Sequence, residues 1–338
     1  MIFIDENTKL TLSIYKTLNQ DNGSVHAVDF ITDAESVNRT WFDSVVNSLS
    51  SNAEYIFDED TPLENAFLNW QENKVAFVDF LKTLHTEYAH NIESYSSQTG
   101  DTVLAVLQLE DCIVKKKLST KSILIIQLLN PEYFIHTNAS ENTDRVLQGI
   151  AFSKFSNAAL LNEEEGILKI YLAEKGGNNR INDFWKDSFL QIKPVANNFL
   201  FTKELINLTR DFVEHKMPEE YQLDKVDQVA LLQRSAEYFK TQPNYIEDEF
   251  ASNIFQDEEV IASFKKHKAE AEAQSDFSFS ENFSLDKDAV KKQSRFLKSV
   301  IKLDKNFHVY VHGNRDMIER GEDENGLKFY KLFYKEEN

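Results

Sequence analysis

Five cations recur at steps of three or four residues near the end of the chain: Lys287, Lys291, Arg295, Lys298 and Lys302. At about 100° per residue they share an arc of roughly 80° on a helical wheel. Val290, Phe296, Leu297, Val300 and Ile301 take the opposite side. A cationic stripe on one helix face is suited to phosphate contact. Each neutralised phosphate releases counterions and asks nothing of the base sequence. Arg315 and Arg320 downstream are further candidates, as is the upstream cluster Lys115, Lys116, Lys117 and Lys121. An ordinary solvated helix face and lysines that blunt a hairpin tip have the same composition. The stripe is therefore a binding candidate to be weighed against that plainer reading.

Other constellations point less far. His85 and His90 flank Glu87, but a spacing of five turns the second ring well away from the first, which is poor geometry for one metal. Glu110 with Asp111, and Glu163 to Glu165, supply carboxylates. A metal-dependent nuclease would also need a lysine on adjoining strand positions. Glu174-Lys175 lacks the spacer for that arrangement. No Gly-x-x-x-x-Gly-Lys sequence is present, and Gly176-Gly177 reads as a turn. Cys112, beside two acids, reads as an inert thiol. The expectation is a protein without catalytic residues, metal or cofactor, with a nuclease as the weakest alternative.

The elements that must position the cations follow from the pattern around them. Ser284 or Asp286 caps a helix predicted over Lys287 to Lys302. Phe307 to His312 alternates like a strand, Gly313-Asn-Arg315 reads as a turn, and Leu327 to Tyr334 as the returning strand. Further upstream, Thr102 to Gln108 and Ser122 to Leu129 are near-continuous apolar runs, the pattern of strands buried on both faces. Thr61-Pro62 starts a helical stretch reaching residue 95. Asn182 to Leu190 reads as an amphipathic helix whose Phe184 and Trp185 serve either a core or a partner surface. Residues 199–266 read as helices, with breaks at Pro218 and Pro243. The predicted fold is α+β. A mixed or antiparallel sheet with packed helices fills residues 1–195. A helical region, 196–283, follows, with a mobile connector near 269–283, and a helix–β-hairpin unit occupies 284–338.

Two blocks carry a family resemblance. One is Ile301-Lys-Leu-Asp-Lys-Asn-Phe307 with His312-Gly-Asn-Arg315, Ile318-Glu-Arg-Gly321 and Lys328-Phe-Tyr-Lys-Leu332. The other is Tyr171-Leu-Ala-Glu-Lys175 leading into Asn182-Asp-Phe-Trp-Lys-Asp-Ser-Phe-Leu190. Both resemble the bacterial nucleoid-associated proteins typified by NdpA and YejK. The resemblance implies a soluble protein of the cytoplasm that associates with the chromosome, and it brings no catalytic residues.

Composition sets bounds on that expectation. A hydrophobic fraction of 41% with 26 Phe suffices for a packed core, and a single cysteine excludes an intrachain disulfide framework. No apolar window approaches the length of a membrane span, and the start of the chain has no signal-peptide pattern. The net charge of −19 opposes DNA binding unless cations concentrate on one face. Two readings remain. In the first, the protein binds double-stranded DNA through phosphates without sequence preference. In the second, it is an acidic adaptor that reaches the nucleoid through a DNA-handling protein. Homodimerisation is left open.

Overall fold

The two apolar runs of the first half pair with each other. In the computed structural model, β5 (Thr102–Val114) and β6 (Lys117–Leu129) form an antiparallel pair at the centre of a sheet. The structure describes residues 2–3, 9–17, 30–32, 39–50, 53–58, 60–92, 102–114, 117–129, 132–138, 143–149, 154–175, 179–221, 223–275, 278–293, 300–303, 305, 307–310 and 317–336. The chain divides into two units, Met1–Val195 and Ala196–Asn338.

In the first unit the order along the chain is β1 (Ile2–Phe3), β2 (Lys9–Thr17), β3 (Phe30–Thr32), α1 (Arg39–Val46), β4 (Glu54–Phe57), α2 (Pro62–Gln71) and α3 (Phe77–Ile92). After β5 and β6 come β7 (Glu132–Asn138), β8 (Thr143–Gly149), β9 (Phe155–Glu164) and β10 (Ile167–Glu174). A short helix α4 (Asn179–Asp183), a π-helical turn (Phe184–Leu190) and β11 (Ile192–Pro194) complete the unit. The sheet runs β11-β4-β10-β9-β6-β5-β2-β3, with β1 beside β5, and each of these pairs is antiparallel.

Side chains alternate across a strand, so a sheet covered on both faces needs apolar residues at both parities. That requirement explains the continuous runs. Leu104, Val106, Ile123 and Ile125 face α2, α3 and the π-turn, whereas Val103, Ala105, Leu107, Leu124 and Ile126 face Phe42, Val45 and Val46 of α1. Thr61 caps α2 by accepting from the Glu64 N–H, with Pro62 in the first turn. Glu165 and Gly166 both have positive φ and close the two-residue hairpin between β9 and β10. Glu163 and Glu164 belong to β9.

The second unit is helical for most of its length. It comprises α5 (Asn198–Asp211), a π-helical turn (Phe212–Lys216), α6 (Met217–Tyr221), α7 (Lys225–Thr241), β12 (Asn244–Ile246), α8 (Glu247–Phe255) and α9 (Glu258–Ala273). Then come β13 (Asn282–Ser284), α10 (Lys287–Gln293), β14 (Val300–Leu303), β15 (Phe307–Tyr310), β16 (Ile318–Glu322) and β17 (Lys328–Leu332). Pro218 does not end a helix. It lies inside a continuous helical run from α5 to α6, one residue after the π-helical turn, where the ladder of N–H to carbonyl bonds changes its step.

The connector expected near 269–283 is mostly structured where it is described. Residues 269–273 are the last turn of α9, Glu272 accepts from the Phe279 N–H at 2.8 Å, and β13 pairs with β12. Phe279 and Phe283 do the anchoring there, both against the Phe201 ring. Nor is 284–338 a separate hairpin unit. Leu285 and Val290 join the helical core, and the strands form two hairpins, β14–β15 and β16–β17. The strand at 307–310 pairs with 300–303, not with 328–332.

Candidate nucleic-acid interface

The cationic stretch begins as expected. Asp286 caps α10, its Oδ1 accepting from the N–H groups of Asp288 and Ala289, each at 2.9 Å. The Asp286 N–H donates to Thr202 Oγ1 on α5 at 2.9 Å, which ties the cap to the core. Ala289, Val290 and Gln293 are buried, and α10 packs along α5. Lys287, Lys291 and Lys292 are exposed. The Lys292 ammonium lies 5.3 Å above the Phe199 ring at the start of α5.

The helix does not run to residue 302. It is described to Gln293, and Val300–Leu303 is a strand. Val300 and Ile301 are β-branched and favour an extended backbone. Ile301 is 1% exposed and packs on Val226 and Val229 of α7, with Leu303, Val309, Ile318 and Tyr330 around it. Of the apolar face predicted for one long helix, Val290 therefore lies on a helix that packs along α5 and Ile301 in a strand that covers α7. Lys302 lies in β14 opposite His308. Arg295, Lys298 and Arg315 fall outside the described residues. Arg320 is exposed in β16, opposite Tyr330. Burial pushes the Tyr330 phenol up, and the Arg320 charge acts against that shift.

The other candidates separate by what they touch. Lys115 and Lys116 fall outside the described residues, between the end of β5 and the start of β6, and Lys117 opens β6 opposite Val114. Lys121 holds the C-terminal end of α2. Its ammonium donates to Asn73 Oδ1 at 2.6 Å and to the Trp70 carbonyl at 3.4 Å, and lies over the Trp70 ring. The run Lys265 to Lys268 meets carboxylates: Lys265 with Asp248, Lys266 with Glu270, His267 with Asp211, and Lys268 with Glu247 and Glu272. Lys268 is 5% exposed, so this pair is internal.

The aromatic block at 182–190 is spent in the core. Phe184 and Trp185 are 0% and 1% exposed. They offer no surface to a partner, which corrects the reading of them as an anchor. Trp185 Nε1 donates to Gln127 Oε1 at 2.8 Å, and Ser156 Oγ donates to the same oxygen at 2.9 Å. Gln127 Nε2 donates in turn to Tyr88 Oη at 2.9 Å. One buried glutamine thus joins β6, β9, α3 and the π-turn.

Sequence spacing missed Lys292 and Lys305, both exposed, because neither fits a helical stripe. Local charge density finds them. Between 287 and 305 stand Lys287, Lys291, Lys292, Arg295, Lys298, Lys302 and Lys305, against Asp288 and Asp304 alone. In a chain of net charge −19, this is a pronounced inversion. Among the described residues, no group of three or more His, Cys, Asp or Glu is placed to hold a metal ion, and no helix is long and apolar enough to cross a membrane.

Residues 39–327 match the family model described as nucleoid-associated protein YejK. No curated protein matches the chain.

Proposed function

We propose, from the premise that the chain belongs to the nucleoid-associated protein YejK family, that it binds double-stranded DNA in the bacterial cytoplasm through phosphate contacts and without sequence preference. The observation that carries this reading is the cation density of 287–305 on an otherwise acidic chain. Three of these lysines, Lys287, Lys291 and Lys292, are exposed on α10, whose other face is fixed to α5. Screening over about 8 Å at physiological salt lets such a patch act apart from carboxylates farther away. Phosphate contact is the chemistry that suits it, since lysine ammonium groups are mobile point charges with no preferred base edge.

The test is an anisotropy titration of the full chain against a random-sequence duplex at two salt concentrations. Binding is expected at low salt, falling steeply as salt rises. Charge reversal at Lys291 and Arg295 together weakens it. Unchanged binding in that double variant removes this surface from the account.

The net charge of −19 favours a second reading, in which the protein is an acidic adaptor and a basic DNA-handling protein carries it to the nucleoid. Under that reading the purified chain fails to shift DNA even at low salt, and association with the chromosome requires the partner. Homodimerisation is compatible with either reading, and sedimentation of the purified chain measures it.

A further inference from the structure

One hairpin of the first unit belongs to no larger sheet. Among the described strands, β7 and β8 pair only with each other, in antiparallel register from Glu132 opposite Gly149 to Asn138 opposite Thr143. A two-stranded ribbon by itself is marginally stable in water. Side chains alternate along each strand and directly opposed residues share a face, so Tyr133, Ile135, Thr137, Asp144 and Val146 stand on one side of the ribbon. Ile135 lies opposite Val146 in the middle row, with Tyr133 toward the base and Thr137 opposite Asp144 toward the tip. All five are exposed, Tyr133 at 75% and Ile135 and Val146 at 70% each. Three large apolar side chains in one exposed patch, bordered by polar ones, mark a contact surface.

We propose that two copies of the chain meet on this face, their ribbons stacked face to face and antiparallel about a two-fold axis through the Ile135–Val146 row. Charge and shape select the occupant. The face carries one carboxylate and no cation, so it offers nothing to a phosphate backbone and little to a basic protein. A second copy brings the same pattern, and a self-complementary patch is what a two-fold contact requires. Antiparallel stacking sets apolar row on apolar row. It also lays each Tyr133 across the Thr137–Asp144 row of the other copy, where a phenol finds a carboxylate to donate to. Parallel stacking would bring both Asp144 carboxylates into one row, and their like charges oppose it. A tyrosine ring buries at most about 250 Å². With two aliphatic neighbours it falls short of the roughly 800 Å² per copy of a standard interface. The dimer is therefore weak and reversible. It stands apart from the DNA-binding reading and holds whether or not that reading does.

The test is sedimentation velocity of the full chain across the micromolar range. A monomer–dimer equilibrium is expected. It strengthens as salt screens the repulsion between two chains of net charge −19, the opposite sign to DNA binding. Ile135→Lys and Val146→Lys each weaken the dimer about tenfold or more, because each puts an unpaired ammonium into the apolar row. Tyr133→Phe weakens it about threefold to tenfold by removing the hydrogen bond. Arg145→Ala, at an exposed residue on the other face of the same ribbon, leaves it unchanged. Far-ultraviolet circular dichroism of each variant checks that the fold is intact. A chain that is monomeric at every concentration, or a dimer indifferent to both lysine substitutions, overturns the inference. So does a dimer that Arg145→Ala weakens equally, since the contact then lies on the other face. A Tyr133→Phe dimer as tight as the wild type overturns the antiparallel arrangement.

Discussion

Gln127→Leu tests whether the aromatic block at 184–190 is structural. The glutamine is 0% exposed, and its amide serves three partners: the Trp185 indole, the Ser156 hydroxyl and the Tyr88 hydroxyl. Leucine has about the same volume, so the change removes the hydrogen bonds without opening a large cavity. The Trp185 N–H is then a buried donor with no acceptor, which costs about 1–3 kcal/mol. Ser156 retains a weak alternative, the Gln127 carbonyl at 3.5 Å. Tyr88 loses the donor to its oxygen. Better burial of an apolar side chain offsets part of the loss, and a net destabilisation of about 2–4 kcal/mol follows. The assay is urea unfolding followed by tryptophan fluorescence. All three tryptophans, Trp41, Trp70 and Trp185, lie in the first unit, so this signal reports that unit alone. A loss below about 0.5 kcal/mol, the range of an ordinary surface change, refutes the reasoning. The cycle with Trp185→Phe adds a second check: if the indole bond matters, the two substitutions are less than additive.

Other expectations follow from the geometry. Replacing Lys287 and Lys291 with alanine should reduce the slope of log affinity against log salt by about 2, near 0.9 for each phosphate no longer neutralised, and an unchanged slope shows that these lysines touch no phosphate. A Cβ added at Gly321 would lie 2.3 Å from Phe329 Cζ, so Gly321→Ala must push that ring aside. Thermal unfolding should show a loss of about 1 kcal/mol that disappears in a Phe329→Leu background; a loss that persists there assigns the cost to the backbone. Lys169 supplies a pH test. Burial works against its ammonium, but the hydrogen bond to Glu54 and the charges of Glu54 and Glu164 outweigh it and hold its pKa above the usual lysine value. A raised pKa gives stability that is complete below the unfolded value and lost as pH rises through the folded one. The stability gap between the wild type and Lys169→Met should therefore narrow in strong alkali, and a constant gap rules this linkage out.

Much of the architecture was legible because local signals and packing agreed. Lys225–Thr241 and Glu258–Ala273 are helices over the ranges that their caps and apolar spacing mark. Thr61-Pro62 starts α2 where the capping rule places it. The misreadings occur where a tertiary partner decided between two local options. A helical wheel makes one face of Val290, Phe296, Leu297, Val300 and Ile301, yet Ile301 lies in a strand whose partner, Val309, is eight residues away and whose cover is α7. No spacing rule contains that partner. Lys121 looked like free charge because the atom that engages it, Asn73 Oδ1, is distant in sequence. At the candidate interface the concentration of cations was legible in the sequence, but their division between a helix and a strand was not.

The order of the first unit's sheet has a consequence for life at high local concentration. One of its outermost described strands, β11, is three residues long and ends in Pro194. Proline donates no hydrogen bond, and a strand this short gives an incoming chain few rungs to join. A protein gathered along a chromosome meets copies of itself far more often than its average abundance implies. A blunted edge of this kind lets such encounters pass without that side of the sheet extending into the next copy.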